Sequence, residues 1–377
     1  MINRTMNRYR LLEIGPYPPP ESGWAVRIKY VVEQLRKDGV LCSVLNLGEN
    51  RKVQSPNYIC VNSGWDYIGK LLFFASKGYN FHMHANGDSP KGFILSLIAL
   101  SIGKVFKRKT VLTFHAGPDQ KYFPRKNSLL LTPVFCLLFF LSDKIICNSD
   151  NVKKNIIVYG VSNQKIKPIP AFSLQYLDGI EGELPADLEK FLADREPIIT
   201  SYILFRPEFY HESVLKCIQV LVNQYPKTGV VVTGGMPEES DGGEGVRSMV
   251  KDLGIESNVY FAGNLKHEEF LSLLKRSKLY LRSHARDGVC SSVLEAMALK
   301  IPVVANSDGI RPKGVIEYEI NNAVDMANKT SLVLEKPPEV SKFVPIRKDT
   351  VKMEVDLLKS LNKKTSIRGN HEKTTQD

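Results

Sequence analysis

Short strand-like and helix-like segments alternate along this chain, and the alternation limits the fold more than any other feature of the sequence. The apolar run 10–14 ends in a Gly/Pro-rich turn, and apolar residues then recur with helical spacing from Ser22 to Gly39. Further strands of this first series are predicted at 40–45, 81–84, 110–115, 143–147 and 165–169, with a helix at 93–102. Such alternation predicts a parallel sheet with helices on both faces.

A second series of the same kind follows a break in the pattern. Residues 171–197 are rich in Gly, Pro and acidic side chains, and we predict that they connect two domains. Strands are predicted beyond this connection at 198–205, 229–233, 258–261, 279–282 and 302–305, with helices at 213–224 and 268–274. The sequence therefore predicts two doubly wound α/β domains that face each other across a deep cleft, with ligands at the carboxyl ends of the strands.

The domain boundaries follow from these patterns. We place the N-terminal domain at 1–170, the connection at 171–197 and the C-terminal domain at 198–348. A further helix is predicted at 349–361, packing back toward the N-terminal domain, and the polar, lysine-rich tail 362–377 is predicted to be disordered. The length of 377 residues fits two domains of ordinary size.

Cysteine usage and apolar runs bear on the compartment. The six cysteines show no metal-ligand spacing, which indicates reduced thiols in a cytoplasmic protein. The most apolar run, 129–141, is thirteen residues long and contains Pro133, so it is too short to span a bilayer. No apolar stretch of signal-peptide length follows the basic N-terminus. We therefore expect a cytoplasmic protein, with a peripheral position on the inner face of the cell membrane as an option.

The net charge of +11 is concentrated in the N-terminal half. Residues 1–165 hold 23 Lys and Arg against 10 Asp and Glu, a balance of +13, whereas the remaining residues balance at −2. A basic domain attracts phosphates, anionic lipid or nucleic acid, and a merely soluble basic surface is the alternative. Because no nucleic-acid motif is recognisable, we expect no nucleic-acid partner. Segment 92–109 places an apolar helix beside four cations, so it fits either an anionic membrane surface or a core helix before a basic turn.

The stretch from Asp287 to Glu295, D-G-V-C-S-S-V-L-E, carries the clearest chemical signal. It places two carboxylates eight positions apart, the first in a Gly/Ser-rich loop and the second in an apolar helix. The loop exposes backbone N–H groups and the helix N-terminus adds its positive dipole, which suits a diphosphate, while the carboxylates suit ribose and sugar hydroxyls. The alternative is an acidic loop before a capped core helix.

The segment around this stretch resembles a known family. From residue 229 the chain reads G-V-V-V-T-G-G-M-P-E, continues through G-N-L-K-H-E-E-F and R-S-H-A-R-D-G, and ends in the acidic-x7-Glu pattern. This order of elements is similar to the nucleotide-sugar domain of the family-four, "group 1" glycosyltransferases, which have the GT-B fold with two Rossmann-like domains and retain the anomeric configuration. Many relatives have Glu where this chain has Asp287.

The resemblance implies a function. It implies a hexosyltransferase that moves a sugar from a nucleotide-diphosphate sugar, such as a UDP- or GDP-sugar, to a hydroxyl of a glycan or lipid-diphosphate-linked glycan in cell-surface polysaccharide biosynthesis. The chain contains no D-x-D metal motif, in agreement with metal-independent chemistry, so neither a metal nor another cofactor is expected. A front-face mechanism, in which the departing diphosphate takes the acceptor proton, fits the retaining family.

The resemblance also assigns residues of the C-terminal domain. In the motif, Asp287 is expected to be catalytic, and the donor is expected to bind Gly288, Cys290, Ser291, Ser292 and Glu295. The segment I-L-F-R-P-E-F-Y-H-E resembles the family's Gly-Arg-Leu-x-x-x-Lys-Gly loop, whose Arg and Lys neutralise the donor diphosphate. Arg206 is at the arginine position and is expected to be catalytic and to bind the donor, and His211 replaces the lysine as a donor-binding residue. A neutral imidazole gives a leaving diphosphate less support than lysine, so either His211 is protonated in the complex, another cation substitutes for the lysine, or activity is low. The region that holds the nucleobase is expected at Gly234, Gly235, Asn264 and Leu265. Arg311 and Lys313, in the later segment D-G-I-R-P-K-G, are expected to contact a phosphate or the acceptor.

Three features of the N-terminal domain complete the predicted site. Gly23, after the candidate N-cap Ser22, resembles the family's glycine-rich first loop and would let a phosphate approach; a Pro-rich turn before a capped helix is the alternative. His115 in T-F-H-A-G occupies the family's T-x-H position, where the histidine faces the donor sugar, and the resemblance implies that it is a catalytic residue; a structural role is the alternative. His82 and His84 share one face of a strand, but no third metal ligand is evident, and we expect an acceptor-side or packing role.

A rival class stays open. A non-catalytic GT-B protein that binds a nucleotide sugar or a glycan would also fit, and His211 in place of lysine is its main support.

Overall fold

The computed structural model describes residues 9–117, 119–173, 177, 181–240, 242–285, 290–309, 311–338 and 349–362. In this part of the chain two parallel six-stranded sheets form, each with helices on both faces, as the sequence predicted. The predicted tail from residue 363 onward lies outside the described residues. Within the described residues no helix combines the length and the apolar character needed to cross a membrane.

The N-terminal sheet consists of strands that are almost entirely buried. They are β1 Arg10–Gly15, β2 Leu41–Asn46, β3 Asn80–Ala85, β4 Thr110–Phe114, β5 Lys144–Cys147 and β6 Ile166–Pro168, in the order β2-β1-β3-β4-β5-β6. The connecting helices are α1 Gly23–Lys37, α2 Gly64–Ser76, α3 Pro90–Val105, α4 Thr132–Leu141 and α5 Asp150–Ile157. The chain reverses its direction of strand addition between β1 and β3, so a crevice opens at the carboxyl ends of these two strands.

The C-terminal sheet repeats this arrangement. Its strands are β7 Ile198–Ile203, β8 Gly229–Gly234, β9 Val259–Gly263, β10 Leu279–Arg282, β11 Val303–Asn306 and β12 Ile316–Tyr318, in the order β12-β11-β10-β7-β8-β9. Its helices are α6 Ala186–Ala193, α7 His211–Gln224, α8 Val246–Asp252, α9 His267–Arg276, α10 Ser291–Ala298 and α11 Ala323–Glu335. The reversal in this sheet lies between β7 and β10, which places a second crevice at their carboxyl ends.

The last described helix, α12 Thr350–Ser360, returns to the N-terminal domain. Its apolar residues Val351, Val355 and Leu358 share a core cluster with residues of α1 and β1. Arg27 of α1 and Glu354 of α12 form an ion pair of 2.7 Å, and their side chains are only 2% and 1% exposed. A helix from the end of the chain is therefore held in the N-terminal core by both apolar and charged contacts.

Several helices were not predicted from the sequence. Helix α4 reads T-P-V-F-C-L-L-F-F-L, and its nearly uniform apolar composition hides the 3.6-residue period that marks an amphipathic helix. Helices α2, α5, α6, α8 and α11 were likewise not predicted. The strands were easier to predict because a sheet buried on both faces needs continuous apolar runs.

Candidate active site

The two crevices open onto one cavity between the domains. It has a volume of about 380 Å³ and is lined by residues at the carboxyl ends of strands in both sheets. This size suits a nucleotide or a sugar nucleotide that extends into the solvent. The position, at the reversal point of both doubly wound sheets, is where open α/β folds bind ligands.

Most of the predicted site residues line this cavity. They are Gly23, His115, Gly234, Asn264, Leu265, Cys290, Ser291, Ser292 and Glu295. The position where a Cβ would stand on Gly23 is 3.1 Å from the Ser291 Oγ atom, so the first loop of the N-terminal domain directly faces the start of α10. Asp287 and Gly288 lie outside the described residues.

Helix α10 presents its N-terminus to the cavity. Cys290 occupies the N-cap position, and its Sγ atom lies 3.2 Å from the Ser292 Oγ atom. Ser291 and Ser292 form the first turn. The Tyr280 hydroxyl donates to the Ser292 Oγ atom at 2.7 Å, which fixes this turn against β10. The first backbone N–H groups of a helix have no acceptor within the helix, so this end of α10 suits an anion.

Glu295 lies one turn further along α10 and is 4% exposed. Its carboxylate is 3.0 Å from the Nε2 atom of His267, which also lines the cavity. Burial alone would lower the pKa of His267, but the hydrogen bond to Glu295 and its charge outweigh burial and raise that pKa. His267 is thus a site residue without a predicted role, although it lies in the segment that resembles the family.

The cation of the cavity is Arg282, which the sequence interpretation missed. It ends β10, is 7% exposed, and is the only Lys or Arg among the described residues that line the cavity. Its guanidinium carbon lies 5.5 Å from the ring centroid of Tyr202 and 5.3 Å from that of Phe209. Its Nη1 atom donates to the Tyr202 carbonyl at 3.3 Å. The signal was an arginine at the carboxyl end of a strand beside a reversal point.

The two residues predicted to bind the diphosphate do not line the cavity. Arg206 is exposed and His211 is partly buried at the start of α7, and neither lines the cavity. The backbone between them contains the short helical turn Pro207–Phe209 and a left-handed residue, Tyr210. The His211 ring packs edge-on against Phe205, and burial lowers its pKa. Gly235, predicted near the nucleobase, also lies outside the lining.

His115 lines the N-terminal side of the cavity and belongs to a buried polar cluster. Its ring stacks on Trp24 with centroids 4.3 Å apart, and its Nε2 atom is 2.9 Å from the Nδ1 atom of His84. The Nε2 atom of His84 is in turn 3.0 Å from the Glu13 carboxylate. His82 Nδ1 lies 2.9 Å from the other oxygen of that carboxylate.

This cluster bears on the predicted lack of a third ligand beside His82 and His84. Glu13 takes that place, because its carboxylate and the two imidazoles have ligand atoms within 4.8 Å of one another. These atoms already form hydrogen bonds with each other, and the remaining ring nitrogens contact Thr113 and His115. The residues therefore fit a closed hydrogen-bonded network better than an open metal site with its own coordination geometry.

The comparison with known proteins starts from the C-terminal half. The family described as "Glycosyl transferases group 1" matches residues 186–344, which include α10, Arg282 and Glu295. A GDP-Man:Man(3)GlcNAc(2)-PP-Dol alpha-1,2-mannosyltransferase from Dictyostelium discoideum is 24% identical over 169 residues, which cover 42% of this chain. The match spans about a third of that relative's length, 32%.

Solved structures extend the similarity to both domains. Anabaena HepE, crystallised in complex with UDP-glucose, superposes with a TM-score of 0.64 at 16% identity, over 94% of this chain and 97% of the other. A UDP-N-acetylglucosamine 2-epimerase gives a TM-score of 0.66 at 13% identity, over 94% and 96% of the two chains. The chain has the GT-B fold, as predicted, and it shares this fold with HepE and with a UDP-N-acetylglucosamine 2-epimerase.

Proposed function

We propose that this protein is a retaining glycosyltransferase that uses a nucleotide-diphosphate sugar. The observation that supports this most is the cavity itself: it joins the N-terminus of α10, Arg282 and Glu295, all within the segment that matches the group 1 glycosyltransferase family. A UDP-glucose complex of a protein with the same fold adds support for a donor of this class. We propose a UDP- or GDP-sugar as the donor and neither a metal nor another cofactor.

Each part of the cavity has a role in this proposal. The Glu295 carboxylate accepts hydrogen bonds from the ribose hydroxyls, and the residues Gly234, Asn264 and Leu265 surround the nucleobase. The amides of Ser291 and Ser292 and the guanidinium of Arg282 neutralise the diphosphate. Arg282 therefore replaces the pair that the sequence suggested, Arg206 and His211.

The reaction follows from this placement. The bond between the anomeric carbon and the diphosphate oxygen breaks, and the electron pair leaves with the diphosphate. The acceptor oxygen forms its bond on the same face of the sugar, and its proton passes to the departing diphosphate oxygen. Arg282 and the N-terminus of α10 stabilise the negative charge that develops on the leaving group, which lowers the barrier without a metal ion.

The first test is binding followed by turnover. UDP, GDP, UDP-glucose and GDP-mannose are screened for a shift in melting temperature, and any sugar nucleotide that binds is then assayed for hydrolysis and for transfer. We expect one nucleotide class to stabilise the protein, and the Glu295→Ala variant to lose that stabilisation. Product configuration by NMR then distinguishes retention from inversion, and conversion of a UDP-sugar into its 2-epimer would point to the epimerase class instead.

The rival is a binding protein without transfer activity. Its specific support is that Arg206 and His211 lie outside the cavity lining. A rival that binds a nucleotide sugar shares the prediction of nucleotide binding with the enzyme, so turnover separates these two functions. Sugar release that proceeds in the presence of EDTA and stops in Glu295→Ala supports a metal-independent enzyme, whereas tight binding without turnover in the presence of varied acceptors supports the rival.

The N-terminal domain offers a surface for a membrane-linked acceptor. Helix α3 packs against both α2 and α4, and these helices with their flanking loops expose large apolar side chains: Trp65, Phe73, Ile94, Val105, Leu129, Leu130, Leu137 and Phe140. Exposed cations lie among them: Lys91, Lys107, Lys121, Arg125 and Lys126. Apolar side chains surrounded by cations match the interface of an anionic bilayer.

From this surface we infer peripheral binding to an anionic membrane and a glycan or lipid-diphosphate-linked acceptor. The surface belongs to the same domain as His115, so an acceptor held at the bilayer would reach the cavity from the N-terminal side. The six cysteines are free thiols, which supports the cytoplasmic face as the location. Cell-surface polysaccharide biosynthesis as the process belongs to the proposal through the family resemblance.

A further inference from the structure

A chain of hydrogen bonds runs from the core of the N-terminal domain to the cavity. It starts at the Glu13 carboxylate, passes through both ring nitrogens of His84, and ends at the Nε2 atom of His115. The distances are 3.0 Å between Glu13 and His84 and 2.9 Å between His84 and His115. Glu13 is 0% exposed, His84 4% and His115 6%, so bulk water does not compete for these bonds.

The charges around these hydrogen-bonded side chains are balanced when His84 is neutral. Burial alone would raise the pKa of Glu13, but the charge and hydrogen bonds of His82 and His84 lower it to about 2. Burial alone would lower the pKa of His82, but the Glu13 charge and hydrogen bond raise it. Glu13 and a cationic His82 therefore neutralise each other, as do Arg27 and Glu354.

A further proton on His84 would leave a buried charge without a counter-ion, which is strongly unfavourable. Burial, and next to it the neighbouring His82 cation, lower the pKa of His84. Burial lowers the pKa of His115 as well, followed by the effect of His84. Both imidazoles are therefore neutral, and each has one N–H group and one acceptor nitrogen.

The direction of every hydrogen bond is then fixed. An ionised carboxylate only accepts, so the His84 Nε2 atom carries the hydrogen and donates to Glu13. The His84 Nδ1 atom must then accept, which requires that the His115 Nε2 atom carries a hydrogen and donates. The remaining nitrogen of His115, Nδ1, has no hydrogen, and none of the described residues donates a hydrogen bond to it.

We propose that Glu13 and His84 act as positioning residues that lock His115 in the Nε2–H tautomer, so that its Nδ1 atom offers the cavity a hydrogen-bond acceptor that selects a donor-sugar hydroxyl. This specificity rests on the proposed function, because the ligand is the sugar of the donor. An acceptor nitrogen favours a hydroxyl that donates, and it disfavours any sugar group that can only accept. Stacking on Trp24 holds the ring plane in place for this contact.

The tautomer is tested in the unliganded protein, independently of activity. Long-range ¹H–¹⁵N correlation spectra of ¹⁵N-histidine-labelled protein at pH 7 distinguish protonated from unprotonated ring nitrogens. We expect His115 to show an unprotonated Nδ1 atom and a protonated Nε2 atom. A protonated Nδ1 atom, a cationic His115 or a stoichiometric bound metal ion in the purified protein would overturn the proposal.

The Glu13→Gln variant tests the lock. Its carboxamide keeps the shape of the side chain but removes the charge, and its NH₂ group can donate to His84, which reverses both tautomers. We expect binding of UDP-glucose or GDP-mannose to weaken about 10- to 100-fold, whereas UDP or GDP binds within about twofold of wild type. The matched control is Thr113→Val, which removes the contact with His82 but not the chain to His115.

These outcomes separate the two proposals. An equal loss of nucleotide and sugar-nucleotide binding in Glu13→Gln, or the same loss in Thr113→Val, would show a merely structural role and overturn the lock. If neither sugar nucleotide binds the wild-type protein, the transferase proposal fails, and the selection of a donor sugar fails with it. The spectra of the unliganded protein still decide the tautomer in that case.

Discussion

Replacing Arg282 with methionine tests the assignment of the diphosphate site. Methionine keeps the unbranched apolar stem that packs near Tyr202 and Phe209 but removes the guanidinium group. A hydrogen bond to a charged partner contributes about 1.5–3 kcal/mol, and each 1.4 kcal/mol is about tenfold in affinity. We therefore expect the Kd for UDP or GDP to rise roughly 10- to 150-fold in Arg282→Met.

The assay is isothermal titration calorimetry with the nucleoside diphosphate and with the corresponding nucleoside. Because the nucleoside has no phosphate, its weaker affinity should not change in Arg282→Met. The matched control is Arg276→Met, which removes an arginine on α9 that pairs with Glu189 at the surface. Circular dichroism of each variant verifies folding.

A different pattern of nucleotide binding would contradict the assignment of Arg282 to the diphosphate. If Arg282→Met binds UDP and GDP like wild type while Arg206→Ala loses affinity by tenfold or more, the diphosphate lies at the position that the sequence suggested. The assignment of the charge to Arg282 would then be wrong, although the fold and the family match would stand.

Three further predictions concern stability, pH and the membrane surface. Arg27→Met should lower the free energy of unfolding by about 3–5 kcal/mol, because it removes the nearest cation from the buried Glu354 carboxylate and leaves the more distant His82, whose Nε2 atom is 3.7 Å away. Arg27→Met/Glu354→Met should recover most of the loss. Urea unfolding of both variants decides, and equal losses would contradict the reasoning. The stability that Glu13 contributes is present above its ordinary pKa of 4.5 and is lost as the pH falls toward its lowered pKa of about 2. The stability that His82 contributes is present below its ordinary pKa of 6.5 and is lost as the pH rises through its raised pKa. The difference in unfolding free energy between wild type and Glu13→Gln should therefore be largest between pH 4.5 and 6.5, and a difference that does not vary with pH would refute this. The double variant Leu129→Ser/Leu130→Ser should reduce co-sedimentation of the protein with anionic vesicles. The control Val324→Ser, which changes an exposed apolar residue of α11, should not. Equal effects of both changes would exclude the proposed membrane surface.

Much of the fold could be predicted because its strands are buried apolar runs separated by turn residues. The alternation of strand and helix patterns predicted two parallel sheets, and the carboxyl ends of the strands predicted the position of the cleft. The sequence pattern could not reveal α4, because a helix that is apolar on nearly every side has no period to detect. The pattern also gave no sign that the buried carboxylate of Glu13 lies beside His82 and His84. That contact depends on the pairing of β1 with β3, which skips β2 in the sequence.

The residues of the cavity likewise include some that the sequence predicted and some that it did not. The start of α10 and Glu295 were predicted because their spacing places them on one end of one helix. The sequence interpretation assigned the diphosphate cation to Arg206 by alignment with a motif, and the structure leaves Arg206 exposed and outside the cavity lining, before the turn that ends at Tyr210 with φ of 47°. Arg282 was missed because it ends an apolar strand and carries no motif of its own. Side-chain direction, which a linear spacing does not contain, accounts for the difference.

The most direct test of the central claim is a calorimetric titration of wild-type protein and of Glu295→Gln with UDP, GDP, UDP-glucose and GDP-mannose. The account predicts saturable binding of one nucleotide class with a stoichiometry of one to wild type. It also predicts at least about tenfold weaker binding to Glu295→Gln, because a charged hydrogen bond to the ribose is lost. Absence of binding to wild type at millimolar concentrations, or equal binding to both proteins, would contradict the claim that this cleft holds a nucleotide-sugar donor.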